Sequence, residues 1–172
     1  MNRNYLLITS LLTIGLSACN STDPEPSQPY DNGVLIINAG NFLDNNGSIS
    51  LVQRTSTTAS YDIFQKENSR TLAGSLSGYA EVNEKGIILV DNSTAGKDGI
   101  EIVDARTFKS LTSIPSTEVE NPRAVVKATD TKAYITCWDA TGDFSNFYKN
   151  PGYVAVLDLT TNKLTMIIPV QN

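Results

Sequence analysis

From Gly33 onward, short apolar runs return at near-regular intervals, each bounded by polar or glycine-containing stretches. One kind is a compact apolar run, at residues 34–37, 87–90 and 134–138. A second begins at glycine and alternates, at 47–52, 99–103 and 152–157, and a third follows each of these, at 61–65, 110–114 and 164–170. Runs this short do not make stable helices. The alternation of Ile49 with Leu51, and of Ile100 with Ile102, predicts strands with one face buried. Equivalent runs lie about 45 to 55 residues apart, the period of a four-stranded propeller blade.

The last two units match around a turn. Residues 104–109 align with 158–163, and Ile114-Pro115 aligns with Ile168-Pro169. Asp104 and Asp158 then sit where a carboxylate accepts hydrogen bonds from the turn backbone, a structural role. Residues 79–83 and 122–128 read as the innermost strands of the second and third units. The first unit has none, since only linker precedes Gly33. The predicted fold is therefore all-β, a β-propeller of four-stranded antiparallel blades with about three blades present, at about 33–68, 77–117 and 121–170. A closed propeller takes about four blades or more. The chain is thus expected to be the N-terminal part of a longer ring, with the lateral faces of its stack open to association.

The N-terminus carries a different pattern. Arg3 precedes an apolar stretch at 6–16, of signal-peptide length and too short to span a bilayer. Leu16-Ser17-Ala18-Cys19 follows and resembles the lipobox cut by the type II signal peptidase, with an ordinary cleaved signal as the alternative. On the first reading residues 1–18 are removed and Cys19 is acylated. Since one acyl chain holds only marginally, more than one gives firm anchoring in the membrane. Residues 19–32 are dominated by Ser, Thr, Pro, Asp and Glu and read as a disordered linker. Asn20 is not the aspartate of inner-membrane retention, which favours the outer membrane. Asp23 and Glu25 loosely resemble an acidic surface-export tag, so a lipid-anchored position at the cell surface is expected.

Charge and composition narrow the chemistry. The formal net charge is -5, and -6 once Arg3 leaves with the signal. No basic stripe is visible, which argues against nucleic acid as a partner. The chain has no histidine, which excludes Ser-His-Asp and Cys-His catalysis and the usual catalytic zinc. With Cys19 acylated, Cys137 has no disulfide partner. It lies in an apolar run and reads as a buried, inert thiol. The expected protein is not an enzyme and needs no cofactor.

Asn121-Pro122-Arg123, residues 132–138 and residues 152–170 look like blades of the YncE-like, seven-bladed propellers. Residues 33–42 and 46–50 resemble a narrower set, propeller lipoproteins of Bacteroidota that include a surface cobalamin-capturing protein seated on a TonB-dependent transporter. The resemblance spans 33–172 and implies a non-catalytic binding protein. Its ligand would be a nutrient such as cobalamin or another corrinoid, and its partner a TonB-dependent transporter. A structural or protein-interaction module of the envelope is the alternative. In such a fold the loops at 38–46, 91–98 and 138–151 share the face that carries the channel mouth. Candidate ligand contacts on them are Asn41, Phe42, Asn92, Trp138, Asp139, Phe147 and Tyr148. The aromatic loop at 138–151 suits either a flat, partly apolar ligand or the covering of a strand edge. Asp139 and Asp143 only loosely resemble a calcium pair, and no metal site is expected.

Overall fold

In the computed structural model, residues 28–139 and 150–170 are described. Eleven strands form three antiparallel sheets, and in each sheet neighbours in space are neighbours in the chain. β1 (Gly33–Asn38), β2 (Ser48–Gln53) and the two-residue β3 (Ala59–Ser60) make the first sheet, followed by a short helix, α1 (Ile63–Asn68). The second sheet is β4 (Ser75–Val82), β5 (Lys85–Asp91), β6 (Gly99–Asp104) and β7 (Ser110–Pro115). The third is β8 (Pro122–Thr129), β9 (Lys132–Cys137), β10 (Tyr153–Asp158) and β11 (Lys163–Pro169). The all-β architecture and the expected inner strands of the second and third units are present, as β4 and β8.

The apolar runs explain how the sheets stack. β5 is apolar at every position from Ile87 to Val90 because both of its faces are covered. Ile87 and Leu89 enter one core, shared with Ala133, Ile135 and Leu157 of the third sheet. Ile88 and Val90 enter another, shared with Ile49 and Leu51 of the first. Successive side chains of a strand point to opposite faces, so one continuous run serves two interfaces. Each fully buried aliphatic side chain contributes about 1.5–3 kcal/mol of transfer free energy. The second sheet is thus the middle layer. β4 packs against β8, which brings the inner strands of the second and third sheets together.

Two turns behave as their sequences predict. Asp104 Oδ1 accepts from the backbone N–H of Arg106 (3.0 Å) and Thr107 (2.8 Å) and from the Thr107 hydroxyl. Asp158 Oδ1 accepts from Thr160 N (2.8 Å), Thr161 N and the Thr160 hydroxyl. In both turns the residue four places on, Phe108 or Asn162, adopts φ 55. Cys137 is buried in the core between the second and third sheets, and burial pushes its thiol up to about 11.

The third strand expected at 61–65 is corrected. β3 stops at Ser60, and Ile63–Asn68 is helical. Asp62 caps the helix by accepting from Gln65 N at 3.1 Å, and the Ser69 N–H closes the other end on Gln65 O. The helix places adjacent Ile63 and Phe64 together in the core, both fully buried. A strand would send one of them to solvent. The packed part also begins before Gly33. Tyr30 is buried edge-on against Phe108, with centroids 5.5 Å apart, and its hydroxyl donates to Glu67 at 2.6 Å.

Candidate functional site

Two of the three loops expected to share one face, at 38–46 and 91–98, are joined by specific hydrogen bonds, and residues 140–149 of the third lie outside the described residues. Asn45, at φ 51, donates from Nδ2 to Ser93 Oγ and accepts from Ser93 N, both at 2.9 Å. That pair ties the β1–β2 loop to the β5–β6 loop. Gly47 N donates to Gly74 O at 2.8 Å, and a Cβ on Gly47 would stand 2.6 Å from that oxygen. Only glycine fits this approach. Asp98, buried at the start of β6, accepts from Asn92 N (2.8 Å) in its own loop and from Asn121 N (2.9 Å) at the mouth of β8. One carboxylate thus fixes the entry of the third sheet against the second.

Arg123, second residue of β8, is the centre of the joint. Its guanidinium lies 3.9 Å from the centroid of the Trp138 ring and forms an ion pair with Asp91 at the end of β5. It also donates to Asn121 Oδ1 at 3.2 Å. Asp91 and Asn121 are buried, and the joint leaves polar capacity unused. Asp91 Oδ1, Asn121 Nδ2 and Arg123 Nε have no hydrogen-bond partner among the described residues. Burial holds the Asp91 carboxyl above its ordinary range, opposed by the adjacent Arg123 charge. Glu120 is also raised, first by burial and then by the negative charges of Asp139 and Asp98. Such a cluster holds water or accepts a neutral polar group with donors and acceptors of its own.

The residues the sequence points to fall into four groups. Trp138 reaches this cluster and stays partly exposed, with Asp139 next to it. Asn41 and Asn92 are on the expected loops, but their amides are engaged by the loops themselves. Asn41 Oδ1 accepts from Leu43 N at 3.0 Å, and Asn92 donates to Ala73 O while accepting from Thr94 N. Phe42 is exposed at the tip of its loop. Phe147 and Tyr148, like Asp143 and the lipidation candidate Cys19, lie outside the described residues. Sequence reasoning gave no site role to Asp91, Asp98, Asn121 or Arg123. The Asn-Pro-Arg tripeptide that opens β8 was the available signal.

A separate cleft of about 190 Å³ opens on the side of β6 and β7 that faces the first sheet. Arg70, Lys97, Glu101 and Ser113 line it. Glu101 is buried there and accepts from Arg70 (2.7 Å), Ser113 (2.6 Å) and Ser110. Its volume is below the roughly 300–1,000 Å³ of ordinary ligand sites. Among the described residues no group of three or more carboxylates or cysteines is placed to hold a metal, and no helix is long and apolar enough to cross a membrane. No protein-family model matches the chain, and no curated protein matches it.

Proposed function

We propose that the three sheets are blades of a β-propeller of the YncE-like type. The chain is anchored at the outer membrane through acylated Cys19 and serves as a non-catalytic binding protein. The observation that carries the reading is the joined loop face, where Asn45–Ser93, Asp98–Asn121 and Arg123–Trp138 bring three sheets to one end. Propellers collect their binding groups on such a face. An indole backed by a guanidinium, beside buried amide and carboxylate groups with unused capacity, suits a flat ligand carrying carboxamides. A corrinoid has that chemistry, and a TonB-dependent transporter is the partner that would take it up.

Trp138 is the chain's single tryptophan, so its fluorescence reports the site directly. Titration of the full chain with cyanocobalamin should quench it saturably in the nanomolar to low micromolar range, and Arg123→Ala should weaken the binding. Absence of saturable quenching at micromolar ligand, together with no binding by equilibrium dialysis, would reject the corrinoid. The second reading, a protein-interaction module without a small ligand, is favoured by the apolar lateral faces of the first and third sheets. Val34 and Met166 on those faces are both more than half exposed. Recovery of envelope proteins but no transporter after cross-linking in membranes would support it.

A further inference from the structure

The chain enters its first sheet through a clasp. Besides packing against Phe108, Tyr30 donates its backbone N–H to Arg106 O at 3.3 Å. The Asp31 carboxylate pairs with the Arg106 guanidinium at 3.3 Å and accepts from Gln28 N at 2.8 Å. On the first sheet, Gln53 donates from Nε2 to Pro29 O at 2.9 Å, and Arg54 N donates to Asn32 O. Residues 28–32 are thus held both to the β6–β7 turn and to the end of β2.

Those contacts fix the end of the stack from which the preceding chain leaves. Neighbouring strands alternate in direction, so the β4–β5, β6–β7, β8–β9 and β10–β11 turns lie at one end and the loops at 38–46 and 91–98 at the other. The two ends stay aligned from sheet to sheet. Lys85, at the foot of β5, donates to Leu159 O and to Asn162 Oδ1 (2.7 Å) in the β10–β11 turn, while Asp98 and Asn121 meet at the loop end. Gln53 and Arg106 belong to the turn end, and Trp138, which follows β9, to the loop end. A six-residue strand such as β9, rising about 3.3 Å per residue, separates the two ends by about 20 Å.

Charge is divided in the same way. The loop end carries Asp44, Asp91, Asp98, Glu118, Glu120 and Asp139 against Lys97 and Arg123. At the turn end the charges are paired, Arg106 with Asp31 and Glu84, Lys109 with Glu67, and Lys127 with Asp130. An anionic surface therefore repels the loop end more than the turn end. We infer that the anchored chain stands on its turn end, with the clasp holding the loop face away from the bilayer and open to the medium. This rests on the reading of Cys19 as the anchor. The loop face then takes its ligand from the medium, and the turn end is the surface that meets the bilayer and the proteins in it.

The test uses the full chain on vesicles that contain anionic lipid and a trace of dansyl-labelled lipid, with energy transfer from tryptophan as the readout. The wild-type chain has its single tryptophan at the loop end. A second protein carries Trp138→Phe and Thr131→Trp, which moves the tryptophan to the exposed β8–β9 turn. Transfer should be several-fold stronger from the turn position, and acrylamide should quench Trp138 equally on vesicles and in solution. Tyr30→Ala frees the tether and should raise transfer from Trp138 while keeping the wild-type circular dichroism spectrum. Arg106→Ala, at a partly exposed residue, is the milder variant and should act in the same direction. Equal transfer from the two positions, or stronger transfer from Trp138, would overturn the inference. So would clasp variants that leave transfer from Trp138 unchanged. Flotation of the wild-type chain with membranes tests the anchor by itself. For a chain that does not float, coupling the Cys19 thiol to a maleimide lipid supplies the tether, since Cys137 is buried, so orientation and anchoring fail independently.

Discussion

Replacing Arg123 by alanine tests how the second and third sheets are held together. The Asp91 side chain is 6% exposed and that of Arg123 23%, so the two partners are not equivalent. Without the guanidinium, Asp91 becomes a buried carboxylate with no compensating charge, and its Oδ1 is already without a partner among the described residues. Removing one member of a buried pair costs about 3–5 kcal/mol. Arg123 retains some solvent, which places the cost near the lower end, about 3 kcal/mol. Loss of its stacking on Trp138 adds about 0.5–1 kcal/mol. Asp91→Asn leaves the more exposed partner behind and should cost less, about 1–2 kcal/mol for the lost charged hydrogen bond.

The pH dependence separates this account from a simple loss of packing. Burial raises the folded-state pKa of Asp91 above the ordinary 3.8 even with Arg123 beside it, and higher still without it. A carboxyl raised in this way binds a proton more readily in the folded chain than in the unfolded one. Stability is therefore gained as the pH falls through the folded-state pKa toward 3.8, and the full penalty applies above it. The variant has more to gain, so the deficit of Arg123→Ala should be largest at neutral pH and shrink on acidification. Urea denaturation followed by far-ultraviolet circular dichroism at several pH values measures it. Equal deficits for Arg123→Ala and Asp91→Asn, or a deficit that does not change with pH, would refute the reasoning.

Other positions make independent claims. Phe64→Ala empties a fully buried site between the first and second sheets and should cost about 3–5 kcal/mol, whereas Tyr61→Ala, at an exposed position, should stay within about 0.5 kcal/mol in the same denaturation assay. Asp104→Ala removes an acceptor of three hydrogen bonds in the β6–β7 turn and should cost about 1–2 kcal/mol. The Asp158 carboxyl is held below its ordinary range, first by the Thr160 hydroxyl and then by the Thr160 backbone. Its contribution is present above the unfolded-state pKa and lost as the pH falls through the folded-state pKa, so Asp158→Asn and wild type should converge in acid. Cys137, pushed up to about 11 by burial, should resist iodoacetamide at mildly alkaline pH and react only as the chain unfolds, as mass spectrometry would show.

What the sequence discloses and what it conceals divide along a physical line. Strand period is a local property, and a stack of similar sheets repeats it, so the run from Ile87 to Val90 and the alternation of Ile100 with Ile102 were legible as strands. Turn chemistry is local too, and Asp104 and Asp158 declare it through the threonines and lysines that follow. At 61–65 the local signal misleads, because Ile63 and Phe64 fit either a strand or one turn of a helix. The choice falls to a capping aspartate, Asp62, and to the core between two sheets that takes in both Ile63 and Phe64 and that no single segment defines. The site is hidden more deeply. Asn41 and Asn92 carry amides on the expected loops, yet those amides are engaged in holding the loops in shape. Arg123 went without a role because its partner Asp91 belongs to another sheet, 32 residues earlier. Their meeting depends on how β4 and β8 lie against one another, which is a matter of packing between repeats. Within a repeat, spacing is informative. Between repeats, the joint rests on pairs such as Arg123–Asp91 and Asn121–Asp98, which periodicity places on the same end of the stack without saying that they touch.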